Sequence, residues 1–208
     1  MKKILYVLSV LFFVSCNNAD HKEHHDTEHS NQVMNDSNSA SKSMYQLMQD
    51  NMHQMMMVKS AGVPDLDFAA LMKIHHQGAV KMAQVQIAEG KDEAIKKISQ
   101  QIINDQQKEI AILDSLMIAQ KATGSDSSFF KKSMQDMHHM TLTEEKTNVD
   151  KEFLQMMIPH HEGAIIMARI YLQNGATNKV LQQIANNIIK TQQAEIDMFK
   201  KMLSEMKQ

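Results

Sequence analysis

Met156-Met157-Ile158-Pro159-His160-His161-Glu162-Gly163-Ala164-Ile165-Ile166-Met167-Ala168 has a partner earlier in the same chain, Leu71-Met72-Lys73-Ile74-His75-His76-Gln77-Gly78-Ala79-Val80-Lys81-Met82-Ala83. Laid side by side at an offset of 85, residues 65–84 and 150–169 agree at nine of twenty positions: Asp, Phe, Met, His, His, Gly, Ala, Met and Ala. A doubled histidine inside such a match marks an internal duplication, and a repeat decides the fold before any single element does.

The match extends outward. Residues 98–110 align with 184–196 at an offset of 86, sharing Ile, Ile, Ile, Gln, Gln, Glu and Ile, so the connection beside Gly90 and Gly175 differs by one residue. Upstream, Met52-His53-x-x-Met56 and Met137-His138-x-Met140 correspond more loosely. Apolar positions recur at helical spacing, and no stretch alternates with period two for long enough to form a strand. Six helices are expected, over residues 44–60, 65–88, 92–121, 129–140, 148–173 and 178–207. Pro159 withholds an amide from the carbonyl of Gln155 and is expected to kink the fifth. Four long and two short helices predict an all-α, four-helix bundle built from a duplicated helical hairpin, plus two short Met-rich helices. A hairpin alone leaves one apolar face bare, so repeat 44–124 should pack on repeat 125–208 about a pseudo-twofold axis.

In the fifth helix the seam Phe153-Met157-His160-Ala164-Met167-Tyr171 advances by 4, 3, 4, 3 and 4, and Phe68-Met72-His75-Ala79-Met82 repeats it in the second. His75 and His160 therefore point inward, with His76 and His161 about 100° round the helix. Met72, Met156 and Met157 stand one turn before a histidine, close enough to share an ion with it. Met82 and Met167 are seven residues beyond the first histidine, about 10.5 Å along the axis, and belong to the core or to another site. Twenty methionines fall largely in helical stripes. Methionine fills irregular cores, but these stripes also carry His53, His138 and His139. Thioether sulfur is soft and selects Cu(I) or Ag(I), while imidazole holds both Cu(I) and Cu(II). The primary ligand candidates are His75, His76, His160, His161, Met72, Met156 and Met157. A further set is Met52, His53, Met56, Met82, Met137, His138, His139, Met140 and Met167. Gln106, Glu109, Gln192 and Glu195 lie beside apolar seams and would orient a metal-bound histidine or ligate directly. The alternative is a half-exposed glutamate paired with a lysine.

The His-His-x-Gly-Ala-x-x-Met-Ala pattern, followed by Gln-x-x-Glu-Ile, resembles the bacterial secreted domain-of-unknown-function family 305. The similarity covers roughly residues 65–120 and 149–206. It implies a ferritin-like helical fold, and some periplasmic members of that family bind copper through Met and His.

At the amino end, Met1-Lys2-Lys3 and an apolar run from Ile4 to Val14 precede Ser15-Cys16. The run is too short to span a bilayer and reads as a signal peptide, 1–15. Cys16, the only cysteine, is then expected to be acylated, and ordinary secretion with a free thiol is the alternative. Residues 16–43 are polar and without periodicity, a flexible tether. Its His21, His24, His25 and His29 would collect Zn²⁺, Cu²⁺ or Ni²⁺ loosely, or serve only as a soluble spacer. Removing Lys2 and Lys3 takes the charge from 22 − 24 = −2 to 20 − 24 = −4, with no basic footprint for nucleic acid.

These readings lead to a lipid-anchored envelope protein, periplasmic or outer-membrane, that binds copper or silver for storage, buffering or hand-over to an efflux or chaperone partner. A structural or adaptor lipoprotein with hydrogen-bonded core histidines is one alternative. A ferritin-like di-iron oxidase is another, although neither His-His helix carries the Glu-x-x-His of such centres. No enzymatic role is expected.

Overall fold

The computed structural model describes residues 42–119, 124–137 and 148–206, all within one compact unit, Ala40–Gln208. Cys16, His21, His24, His25, His29, His138, His139 and Met140 lie outside the described residues, as does the side chain of Met137. Six helices form among the described residues: α1 (Met44–Met56), α2 (Pro64–Glu89), α3 (Glu93–Ala119), α4 (Ser128–Met137), α5 (Val149–Gln173) and α6 (Lys179–Glu205). No strand is present among them.

Local chemistry sets the ends. Ser43 and Gln46 form a reciprocal capping box that starts α1. Helix α1 stops at Met56, before the expected Ser60, because the carboxylate of Asp67 takes the Ser60 hydroxyl and the Ala61 amide. Pro64 opens α2 at a position where a missing N–H costs nothing. Asn148 and Asn178 accept first-turn amides of α5 and α6. Helix α5 runs without interruption through Pro159.

Helices α2 and α5 form the central antiparallel pair. Phe68, early in α2, stacks on Tyr171, late in α5, with centroids 4.1 Å apart. At the other end Asp150, early in α5, accepts from Gln86, late in α2, at 2.5 Å. Helix α3 flanks α2, α6 flanks α5, α1 lies across α2 and α5, and α4 covers α5 and α2. Two apolar clusters result. One holds Phe68, Met72, Phe129, Met167 and Tyr171; the other holds Met44, Met82, Phe153, Met157 and Phe199. The histidine pairs lie at the middle of the central helices, between these ends.

Two carboxylates tie the repeats together reciprocally. Asp65 accepts from the Tyr171 hydroxyl at 2.5 Å, the amides of Thr177 and Asn178 at 3.0 and 3.1 Å, and the Thr177 hydroxyl. Its counterpart Asp150 accepts from Gln86 and from the amides of Lys91 and Asp92 at 3.0 and 3.2 Å. Each aspartate thus organises the hairpin turn of the opposite repeat. Burial alone would raise both pKa values. Hydrogen bonds, led by Thr177 at Asp65 and by Gln86 at Asp150, outweigh it and hold both carboxyls below the usual range.

Candidate metal centre

All four histidines of the duplicated pairs are buried. His75 and His160 meet across the repeat boundary, their ring centroids 3.7 Å apart and their planes at 46°. His76 and His161 turn outward from that contact, each toward the glutamate of its own hairpin. His76 Nε2 lies 2.7 Å from Glu109 Oε2, and His161 Nε2 lies 2.8 Å from Glu195 Oε2. The first contact is a well-formed hydrogen bond. The second is as close, but its geometry leaves Nε2 without a bonding partner. A carboxylate acceptor requires the proton on Nε2 of His76, which leaves Nδ1 as the nitrogen without a protein partner. Both glutamates therefore face histidine rather than the lysine allowed for from sequence.

Six of the eight ring nitrogens in this group are buried with no protein hydrogen-bond partner: Nδ1 of all four histidines, and Nε2 of His160 and His161. A buried polar group left unpaired costs roughly 1–3 kcal/mol. A neutral imidazole carries one N–H and one lone pair, so a metal ion satisfies at most one nitrogen of each ring, and four buried rings still offer more free lone pairs than packing explains. Burial, with the neighbouring imidazoles adding to it, holds His75 and His160 well below the ordinary histidine range. Both are therefore neutral at pH 7, the state in which imidazole ligates.

Helix α1 brings sulfur to this centre. Met48, Asn51, Met52, Met55, His75, His160 and Gly163 enclose a cavity of about 10 Å³, room for roughly one water-sized sphere. The helix can approach because of Gly78: a Cβ there would lie 2.4 Å from Cγ of Asn51. With the way clear, the Asn51 amide donates to the Ile74 carbonyl at 2.7 Å. The Met stripe of α1 is thereby fixed over the histidines.

The other sequence candidates are distributed as follows. Met72 and Met167 pack in one apolar cluster, and Met82, Met156 and Met157 in the other. None of these five lines the small cavity. Met52 does, whereas His53 and Met56 face solvent. Met48, Met55 and Asn51 were not singled out as ligands from sequence. Their spacing of three or four along α1 is visible there, but its placement against both repeats is not. The two halves also differ. Phe199 stands 5.7 Å from the His161 ring, where the corresponding residue of the first repeat is Leu113.

Several solved structures resemble this chain. CopM in its Cu(I)-bound form is 26% identical, with 68% of this chain and 96% of that chain covered and a TM-score of 0.53. CopM in a silver-bound form is 28% identical over the same shares, with a TM-score of 0.52. A DUF305 protein from Streptomyces coelicolor shares the fold at 22% identity, covering 70% of this chain and 95% of that one, with a TM-score of 0.58. No functionally curated protein matches. The model of the family described as "Domain of unknown function (DUF305)" matches residues 17–117 and again 117–203, once per repeat, and the chain belongs to that family.

Proposed function

We propose that this protein binds copper, and accepts silver, through Met and His side chains gathered where its two repeats meet. It stores, buffers or hands over the ion in the cell envelope, anchored by a lipid on Cys16. The observation that carries this reading is the set of buried, unpaired imidazole nitrogens beside a thioether-lined cavity. Histidines kept only for core hydrogen bonding, as an adaptor would use them, would be paired. The donor chemistry fits a soft monovalent ion: thioethers from Met48, Met52 and Met55, and neutral imidazoles from His75 and His160. Glu109 fixes the orientation of His76, the chain neighbour of His75, by accepting from its Nε2. CopM, with structures in Cu(I)-bound, Cu(II)-bound and silver-bound forms at 26–28% identity, supports the same ions. Among the described residues no three His, Cys, Asp or Glu side chains converge on one point, which favours a sulfur–nitrogen site over a carboxylate di-iron centre.

The test starts from the chain with His21, His24, His25 and His29 replaced by Ala, so that loose binding there does not mask the result. Competition titration with a chromophoric Cu(I) chelator should show tight binding. Replacing His75, His76, His160 and His161 together by Ala should weaken the tightest site at least tenfold and leave a weaker, Met-only component. A variant that titrates like its parent would remove the reading. For the anchor, Cys16→Ala should abolish acyl labelling and membrane fractionation; unchanged fractionation would refute it.

A further inference from the structure

The outer edge of α1 carries soft donors that the buried centre does not use. Met56 and Met57 are 47% and 69% exposed, and among the described residues no other two large exposed apolar side chains are neighbours in the chain. His53 is exposed one turn before them. Helical geometry persists through Met57, whose amide still donates to the His53 carbonyl at 3.2 Å. Met56 and Met57 therefore stand three and four residues after His53, the spacing at which side chains on one helix face meet. A single exposed methionine is ordinary. Two side by side with an imidazole one turn away repeat, in solvent, the donor types of the buried centre.

Met52 connects the two places. It lines the small cavity with His75 and His160, yet it is only partly buried. Met56 follows it by one turn along α1. The cavity, about 10 Å³, holds roughly one water-sized sphere and does not admit a hydrated ion. An ion bound for it must first exchange its water for protein ligands.

We propose that His53, Met56 and Met57 form an outer site for a monovalent soft ion, Cu(I) or Ag(I), from which Met52 passes the ion to the buried centre. This deepens the copper reading and rests on it for the destination. The transfer exchanges neutral ligands only, so the ion keeps its charge and oxidation state and no proton has to move. Exposed side chains lose rotamer freedom when they close on an ion, whereas the inner donors are already held by packing. The outer site is therefore the weaker, and the ion runs inward downhill.

The test uses the chain with the four tether histidines replaced and its methionine methyls labelled with carbon-13. Ag(I) is the first probe, because it shares the donor preference of Cu(I) without its redox chemistry. The first equivalent should shift the methyls of Met48, Met52 and Met55, and further Ag(I) those of Met56 and Met57 together with the His53 ring. The second measurement is stopped-flow transfer from a chromophoric Cu(I)–chelator complex. His53→Ala/Met56→Leu/Met57→Leu alters exposed positions only, so its melting temperature should hold. That variant should keep the equilibrium Cu(I) affinity within about twofold, while uptake and release both slow by roughly tenfold or more. Met56 and Met57 methyls unmoved by Ag(I) overturn the outer site, and transfer rates equal to those of the parent overturn its role as the way in. So does a parallel loss of equilibrium affinity, which would make the outer donors part of the inner site. Absence of tight Cu(I) binding in the parent sinks the copper reading, whereas Ag(I) shifts at Met56 and Met57 would still report the outer site.

Discussion

His75 and His160, equivalent residues of the two repeats, face each other with ring centroids 3.7 Å apart at the midpoint of the α2–α5 pair. Neither Nδ1 has a protein partner. The contact joins the duplication to the chemistry, since one copy of the repeat supplies only half of it.

The sulfur donors should be separable from packing. Met→Leu changes at positions 48, 52 and 55 nearly preserve volume and helix preference, so each should cost less than about 1.5 kcal/mol in stability. The triple variant should nonetheless lose at least tenfold in Cu(I) affinity while its melting temperature moves little. Equal Cu(I) affinity in variant and parent would place the thioether ligands elsewhere.

Gly78 should reverse the usual rule for helices. Glycine to alanine inside a helix ordinarily stabilises by up to about 1 kcal/mol. Here the new Cβ would meet Asn51 Cγ at 2.4 Å and push α1 off the histidines. Gly78→Ala is therefore expected to lower the melting temperature and weaken Cu(I) binding. Adding Asn51→Ala should recover most of the stability by relieving the clash. Thermal melts of the single and double variants decide it, and a stabilised Gly78→Ala would contradict the packing described.

The reach of the sequence follows from these particulars. The duplication, the helical periodicity and the inward direction of His75 and His160 are all local patterns, and they were legible. The end of α1 was less so: Asp67 holds the residues after it from outside the helix. The partners of Asp65 and Asp150 were hidden because each carboxylate reaches into the turn of the opposite repeat. For the same reason Met48, Met55 and Asn51 read as an ordinary stripe. Only the placement of α1 across α2 and α5 turns them toward the histidines.

Asp65 and Asp150 should each matter more than surface carboxylates. Asp65→Asn replaces an acceptor with an amide facing N–H and O–H donors, so several charge-assisted bonds are lost together. A cost of roughly 2–4 kcal/mol is expected, or a fall of about 5–15 °C in melting temperature for a domain of this size. Asp150→Asn should behave alike, because its role in the other repeat is the same. A loss under about 1 kcal/mol in both would show that the cross-repeat clamps are incidental.

Metal-free stability should depend on pH with a definite sign. His75 and His160 are held well below the value of 6.5 that they regain on unfolding. Between the folded and unfolded values the unfolded chain binds more protons, so stability rises with pH. It is fully present above about 6.5 and drains away below it, by at most about 1.4 kcal/mol per pH unit for each histidine. Asp65 and Asp150 have lowered values, so their contribution is present above about 4 and is lost as pH falls through their folded values. Calorimetry of the apoprotein should show melting falling from pH 7 to pH 5, and His75→Gln/His160→Gln should flatten that decline. A melting temperature constant over this range would contradict the burial of neutral imidazoles.

The most direct test of the central claim is X-ray absorption at the copper edge of the Cu(I)-loaded chain lacking the four tether histidines. The account predicts a first shell containing both sulfur and imidazole nitrogen, with the nitrogen contribution lost in His75→Ala/His160→Ala and the sulfur contribution lost in the Met48, Met52, Met55 triple leucine variant. A shell of nitrogen and oxygen alone, or one unchanged in both variants, would contradict it.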